Sequence, residues 1–209
     1  MVVDKAERGL LFVMVGPGGA GKNTLMKVAL AEMDDLFELV TTTTRDKRPG
    51  EIDGIDYHFL TKDQFLSMIT NNQLVEYQEV TPGNFYGVPR ASVEQALEAG
   101  RDIIADIEVL GARILKQSYP TDTVLVFVTV PGNSEADILS NLRERMEIRE
   151  DTEDVILERL ERAKLLELPF QAECDHTIIN EDRDTAATQL MEIIQQERVA
   201  RQDATQVCS

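Results

Sequence analysis

Residues Gly16-Pro17-Gly18-Gly19-Ala20-Gly21-Lys22-Asn23-Thr24 follow directly on the apolar run Leu10-Leu11-Phe12-Val13-Met14-Val15. Glycines at this spacing let backbone N–H groups turn inward around a polyphosphate, and a helix opening here aims its positive end at the same anion. Lys22 adds a full charge on a flexible stem. The segment fits G-x-x-x-x-G-K, but Asn23 stands where a Ser or Thr hydroxyl usually meets Mg²⁺. The pattern predicts nucleotide phosphate binding by Gly16, Gly18, Gly19, Ala20, Gly21, Lys22, Asn23 and Thr24. Mg²⁺ is then expected on nucleotide oxygens and water, with Asn23 nearby and no protein ligand of its own, since that ion keeps much of its hydration shell. A glycine-rich turn that merely ends a strand is the plain alternative. Against it stand the unbroken apolar strand before the loop and Leu25, Val28, Ala29 and Met33 at helical spacing after it.

A second constellation lies in Thr41-Thr42-Thr43-Thr44-Arg45-Asp46-Lys47-Arg48-Pro49-Gly50-Glu51-Ile52-Asp53-Gly54-Ile55-Asp56-Tyr57-His58-Phe59. Two arginines three apart, flanked by hydroxyls and followed by a tyrosine, can surround one phosphate with paired, charge-assisted bonds. The same residues can also form a solvated loop, and composition alone does not separate the two readings.

The elements that must position these residues read as α/β. Runs at 10–15, 103–109, 123–130 and 176–180 are apolar enough for parallel strands buried on both faces. Helical patterns between most of them predict a three-layer core: Ser92 to Ala99 ending at Gly100, Gly111 to Ser118, and 184–201. The stretch Asp203 to Ser209 is expected to be disordered. Residues 41–90 differ, with Pro49-Gly50, Asp53-Gly54 and Pro82-Gly83-Asn84 punctuating short strands such as Ile55 to Leu60 and Leu74 to Val80. One helix interrupts them, with Thr61 and Gln64 as a capping box. Residues 134–168 form a helical, charge-dense insertion with Ser134 as entry cap and Pro169 as terminator. One domain is predicted, with a core of 1–40, 91–133 and 169–209 and inserts at 41–90 and 134–168.

At 209 residues and 43% apolar content the chain can bury a full core. Its net charge of −17 argues against a nucleic-acid surface, so an anionic substrate needs a local positive patch. Cys174 and Cys208 make neither a disulfide framework nor a metal site and fit a reducing cytoplasm. No signal-peptide segment or run of ~18 apolar residues is seen, so no membrane is expected. His58 and His176 lack ligand spacing and read as structural. Met26, Met33, Met68 and Met191 read as core, and the acidic run from Glu144 to Glu161 as a solvated surface.

In Thr43-Thr44-Arg45, Arg48-Pro49-Gly50-Glu51 and Asp56-Tyr57-His58-Phe59 the chain resembles the guanylate kinase family, and the resemblance runs over nearly its whole length. Leu74-Val75-Glu76-Tyr77, Gly83-Asn84-Phe85-Tyr86-Gly87, Asp106-Ile107-Glu108 before Gly111-Ala112, and Ile178-Ile179-Asn180-Glu181-Asp182 follow in order. The resemblance implies a P-loop NTPase-type core with a parallel sheet, a small β-rich insertion binding the nucleoside monophosphate, and a helical lid. It implies a kinase moving the γ-phosphate of ATP to GMP or dGMP, with Mg²⁺, in the cytoplasm, as a monomer or homodimer. Thr41, Arg45, Arg48, Tyr57 and Tyr86 match the GMP phosphate site, with Gly87 and Val88 beside it. Glu76 matches the carboxylate that accepts from the guanine ring N–H and amino group. Asp106 matches the carboxylate near the reacting groups and the metal's water, and Glu108 a second acidic position. Asn180 falls on the ATP side.

In the lid, Leu142-Arg143-Glu144-Arg145 and Arg159-Leu160 resemble the family pattern. Arg149 falls where a lid arginine sits between glycines, though Ile148 and Glu150 flank it here. Lys22, Arg45, Arg145, Arg149, Arg159 and Asp106 are thus the expected catalytic set. Salt bridging at i to i+4 is a competing use for the lid arginines. Val88 replaces the family's Ser or Thr, which costs one hydrogen bond, about 0.5 to 1.5 kcal/mol, against about 1.5 to 3 kcal/mol for a charged acceptor such as Glu76. Two other readings are a monophosphate kinase with relaxed base specificity and a non-catalytic guanylate-kinase-like module that binds protein partners. The intact loop around Lys22 speaks against the second.

Overall fold

The structure is a computed structural model that describes residues 8–207. Cys208 and Ser209 lie outside the described residues. The chain opens with β1 (Leu11–Val15), α1 (Lys22–Glu32) and β2 (Leu36–Glu38), then enters a small sheet through β3 (Thr42–Thr43) and β4 (His58–Phe59). Next come α2 (Lys62–Thr70), β5 (Leu74–Thr81), β6 (Asn84–Pro89) and α3 (Arg90–Glu98). The core resumes with β7 (Asp102–Asp106), α4 (Val109–Ser118) and β8 (Thr123–Thr129). It continues through α5 (Glu135–Ile148), α6 (Glu153–Arg162), α7 (Leu168–Phe170), β9 (His176–Ile179) and α8 (Arg183–Val207).

The main sheet is parallel, in the order β2-β7-β1-β8-β9. β1 shows why its residues are all apolar. Phe12 and Met14 pack into one layer with Leu25, Ala29, Leu190 and Ile194 of α1 and α8. Leu11, Val13 and Val15 pack into the other with Val93, Leu97, Ala112 and Leu115 of α3 and α4. A strand covered on both faces has no polar side to display. This is the α/β class expected, with two layers of helices around a parallel sheet. The second sheet runs β4-β3-β6-β5, antiparallel except for β3 with β4.

Several boundaries differ from the sequence reading. The strand expected at 103–109 stops at Asp106, because Glu108 takes extended N-cap geometry and its carbonyl accepts from Ala112 N, so α4 starts at Val109. The apolar Ile107 and Val109 are buried as loop and helix residues. The strand expected at Ile55 to Leu60 shrinks to His58–Phe59, since Asp56 folds back to take the Ile52 N–H at 2.7 Å. Met68 is only partly buried on α2. β2 is a three-residue edge strand, too short to show alternation.

Pro169 does not terminate the lid. A π-helical turn, Ala163–Glu167, precedes it and α7 carries Pro169 within its first turn. Proline removes one donor and crowds the carbonyl four residues back, and a wider turn relieves both effects. Finally, residues 203–207, expected to be disordered, belong to α8. The helix is tied to the core by Arg198, which donates to Asp102 at 2.6 Å and Asp35 at 2.9 Å, and by Arg201 on Asp122 at 2.9 Å.

Candidate active site

A cleft of about 490 Å³ opens where the carboxyl ends of β1 and β7 face the small sheet. Its floor is the loop between β1 and α1. Gly16 has φ +137°, and a Cβ there would stand 2.1 Å from the Val128 carbonyl oxygen. Gly21 has φ +95°, and a Cβ would stand 2.4 Å from Asn180 Nδ2. Both contacts are impossible for a side chain, so these two glycines are fixed by the loop's path. Asn180 is buried and donates to the Ala20 carbonyl at 2.7 Å, bracing the loop from behind. α1 starts at Lys22 with no side chain capping it, and Lys22, Asn23 and Thr24 line the cleft. Helix N-termini carry unpaired amides and a partial positive charge, which suits an anion. Lys22 Nζ donates to the Gly16 carbonyl at 2.6 Å and lies 3.8 Å from Asp106 Oδ1.

The facing wall comes from the small sheet and the loop before β4. Thr41, Arg48, Tyr57, Tyr86 and Gly87 line it. Tyr57 and Tyr86 meet edge-on at 6.0 Å between ring centroids. Arg45 lies behind them and is not in the lining. Its guanidinium makes two 2.8 Å bonds to Glu51, donates to Tyr86 Oη at 3.2 Å and sits 5.4 Å from the Tyr57 ring centroid. Glu51 also takes the Arg48 backbone N–H at 2.8 Å. Bonding to Arg45, then to the Arg48 amide, holds the Glu51 carboxyl down to about 2.

Glu76 reaches the deep end of the cleft from β5. It is buried, which pushes its carboxyl up to about 7, with a 3.4 Å bond from Gln78 Nε2 opposing the shift. Asp106, at the end of β7, sits between the two walls. Burial raises its carboxyl and Lys22 lowers it, but 29% of the side chain is open to the cleft, so solvent moderates the shift. Val88 pairs with Glu76 across β5 and β6, but its side chain packs in the core with Val93 and Leu97 and does not line the cleft.

The lid contributes arginines from above. Arg149 and Arg159 line the cleft, and both rest on Asp151, at 3.3 and 2.6 Å. Arg145 is turned away, donating to the Asn180 carbonyl at 2.5 Å. Thus the loop glycines, Lys22, Asn23, Thr24, Thr41, Arg48, Tyr57, Glu76, Tyr86, Gly87, Asp106, Arg149 and Arg159 converge. Ala20, Asn180, Arg45, Arg145 and Val88 stand behind or beside that surface.

Four further lining residues escaped the sequence reading. Gln78 follows Glu76 at the strand period of two, and Val80 repeats it, so alternation along β5 would have found them. Arg162 and Glu167 come from the lid's return. Glu167 is buried, takes the Gly18 backbone N–H, and lies 3.4 Å from Arg162 Nε. Arg162 also pairs with Glu108. Among the described residues, no three His, Cys, Asp or Glu side chains are grouped to hold a metal ion. No described helix is long and apolar enough to cross a membrane.

Comparison with known proteins agrees with this geometry. The guanylate kinase family model matches residues 8–197. A guanylate kinase of Zymomonas mobilis is 42% identical over 196 residues, covering 94% of this chain and 88% of its own. One of Lactococcus lactis is 43% identical over 193 residues, covering 91% and 89%. The crystal structure of guanylate kinase from Anaplasma phagocytophilum superposes with a TM-score of 0.72 at 28% identity, covering 91% of this chain and 87% of that one.

Proposed function

This chain belongs to the guanylate kinase family, and we propose from its cleft how it passes the γ-phosphate of ATP to GMP. It is an enzyme, and its products are ADP and GDP. One observation carries the assignment of roles: a single cleft has a phosphate loop with Lys22 on one wall and Arg48, Tyr57, Tyr86 and Glu76 on the other.

In this reading the loop amides and Lys22 hold the β- and γ-phosphates of ATP. Arg48, Tyr57, Tyr86 and Thr41 hold the GMP phosphate, and Arg45, clamped by Glu51, fixes the two tyrosines from behind. Glu76 accepts from the guanine N1–H and amino group, a donor pair that adenine lacks. A GMP phosphate oxygen attacks the γ-phosphorus in line. The bond to the β–γ bridging oxygen breaks, and its electron pair leaves with ADP. Arg149 and Arg159 leave Asp151 and turn onto the transferring group, whose charge spreads over three oxygens. Closure excludes water, which would otherwise be the acceptor. The segments 41–90 and 134–168 are the parts that close on the core.

Asn23 and Asp106 line the same cleft as Lys22 with oxygen atoms, which fits a hydrated Mg²⁺ carried in on the nucleotide. When bound, that ion would neutralise charge on the transferring phosphates.

A second reading, relaxed base selection, draws on Val88, which brings no hydroxyl and packs its side chain into the core with Val93 and Leu97. ADP release with GMP, dGMP, AMP, IMP, UMP and dTMP supplied singly decides between them. Turnover confined to GMP and dGMP is expected. Comparable rates with AMP would remove Glu76 from its role.

A further inference from the structure

Gly111 is the third residue of α4, and it is not among the glycines with positive φ. Nothing in its backbone conformation therefore requires glycine. Within a helix, glycine is about 1 kcal/mol less favourable than alanine. The reason for it lies across the interface between α4 and β5. A Cβ built on Gly111 would stand 2.8 Å from both Cδ and Oε2 of Glu76, and 2.9 Å from Ile107 Cγ2. The carboxylate occupies the volume that a side chain would fill. It also sits over the first turn of α4, where the helix dipole favours negative charge.

We propose that Gly111 is a positioning residue for base selection: the space left by its missing side chain holds the Glu76 carboxylate against the guanine edge, and a methyl group there turns it away. The inference rests on the reading of Glu76 as the guanine acceptor. The obstructing atoms are the end of a flexible side chain and one rotatable methyl, so Gly111→Ala should fold, with α4 intrinsically more stable. The cost falls on recognition.

The test measures kcat and KM for GMP, IMP and ATP, with thermal midpoints, for G111A, E76D, E76Q and G111A/E76D. IMP keeps the ring N1–H and lacks the amino group. G111A is expected to raise KM for GMP at least tenfold, to shrink the GMP-to-IMP preference, and to leave KM for ATP and the midpoint at or above wild type. E76D withdraws the carboxylate by one methylene, so adding G111A to it should cost less than threefold. A wild-type KM for GMP in G111A, or an equal loss in both backgrounds, would overturn the inference. E76Q with unchanged KM and preference would overturn the underlying base-site reading, and this inference with it. Should G111A not fold, recovery in the double variant supports the contact, and its failure overturns it.

Discussion

Arg159 donates to Asp151 at 2.6 Å across the lid, so the arginine that faces the cleft is already paired before any nucleotide arrives. Arg149 shares the same carboxylate at 3.3 Å. Bringing either onto a phosphate means leaving Asp151. These pairs are partly exposed, and exposed pairs are worth about 0.2 to 1 kcal/mol. Asp151→Asn should therefore lower KM for ATP two- to fivefold and steepen its rise with salt, because salt no longer weakens a competing pair. Steady-state kinetics at 50 and 300 mM KCl checks this, and an unchanged KM would mean that Asp151 does not restrain the arginines.

Glu51 is not in the cleft lining and backs the acceptor wall, bonded to the Arg45 guanidinium and to the Arg48 amide. Glu51→Gln removes its charge and one of the two bonds to Arg45, leaving Tyr57 and Tyr86 without a fixed backing. KM for GMP should rise about tenfold while KM for ATP holds, since the ATP loop lies on the opposite wall. Loss of binding to both substrates would instead indicate collapse of the small sheet.

Asn23 occupies the first turn of α1 in the cleft. Asn23→Thr supplies a hydroxyl closer to the backbone at that point. The Mg²⁺ concentration for half-maximal rate at fixed ATP should fall severalfold, with KM for GMP constant. A titration of Mg²⁺ against initial rate measures it, and an unchanged midpoint would place the ion away from residue 23.

What the sequence disclosed, and what it did not, follows the range of the forces involved. The loop from Gly16 to Thr24 is legible because its chemistry is local, set by glycine spacing and one lysine. The layered core is legible from β1, whose alternate residues feed two helix layers and must all be apolar. Glu167 was hidden because its place depends on the π turn at Ala163–Glu167, which shifts the helix face that a 3.6 period would assign. Arg162, the last residue of α6, was hidden because its partners are Glu108, distant in the chain, and Glu167, at the far end of that turn. In the sequence they look like part of a solvated charge run. Arg45 illustrates a subtler limit. Its motif marks it for a phosphate, but the fold sets Glu51 against it first, which composition cannot reveal. Nothing in the sequence around Gly111 explains why a glycine stands there; the reason appears only when α4 meets Glu76.

The pH dependence of GMP use should report Glu76. Its carboxyl is pushed up to about 7 by burial, and pairing with two guanine donors requires the ionised form. As pH falls below 7, KM for GMP should rise about tenfold per unit. Glu51, held down to about 2, keeps the Arg45 clamp intact throughout that range. The acceptor's own phosphate also takes a proton near pH 6. That contribution is common to wild type and E76Q, so the difference between their profiles isolates the carboxylate. Parallel profiles would rule Glu76 out.

The same burial has a consequence for stability in the absence of substrate. The native carboxyl titrates at about 7 and its unfolded counterpart at 4.5, so the native state holds the proton longer. Stability is undiminished below 4.5, declines as pH rises toward 7, and stays reduced above it. That difference corresponds to about 3 kcal/mol, an upper bound for a group that relaxes on ionising. Glu76→Gln cannot ionise and escapes the loss. The substrate-free variant should therefore melt several degrees above wild type at pH 8, with the gap closing by pH 5, while its kcat/KM for GMP falls. Thermal unfolding at the two pH values tests this: a gap that is absent, or that widens toward acid, would show that the carboxylate carries no ionisation cost in the empty cleft. Its presence would mean that this enzyme keeps a destabilising charge at Glu76 because guanine binding requires it.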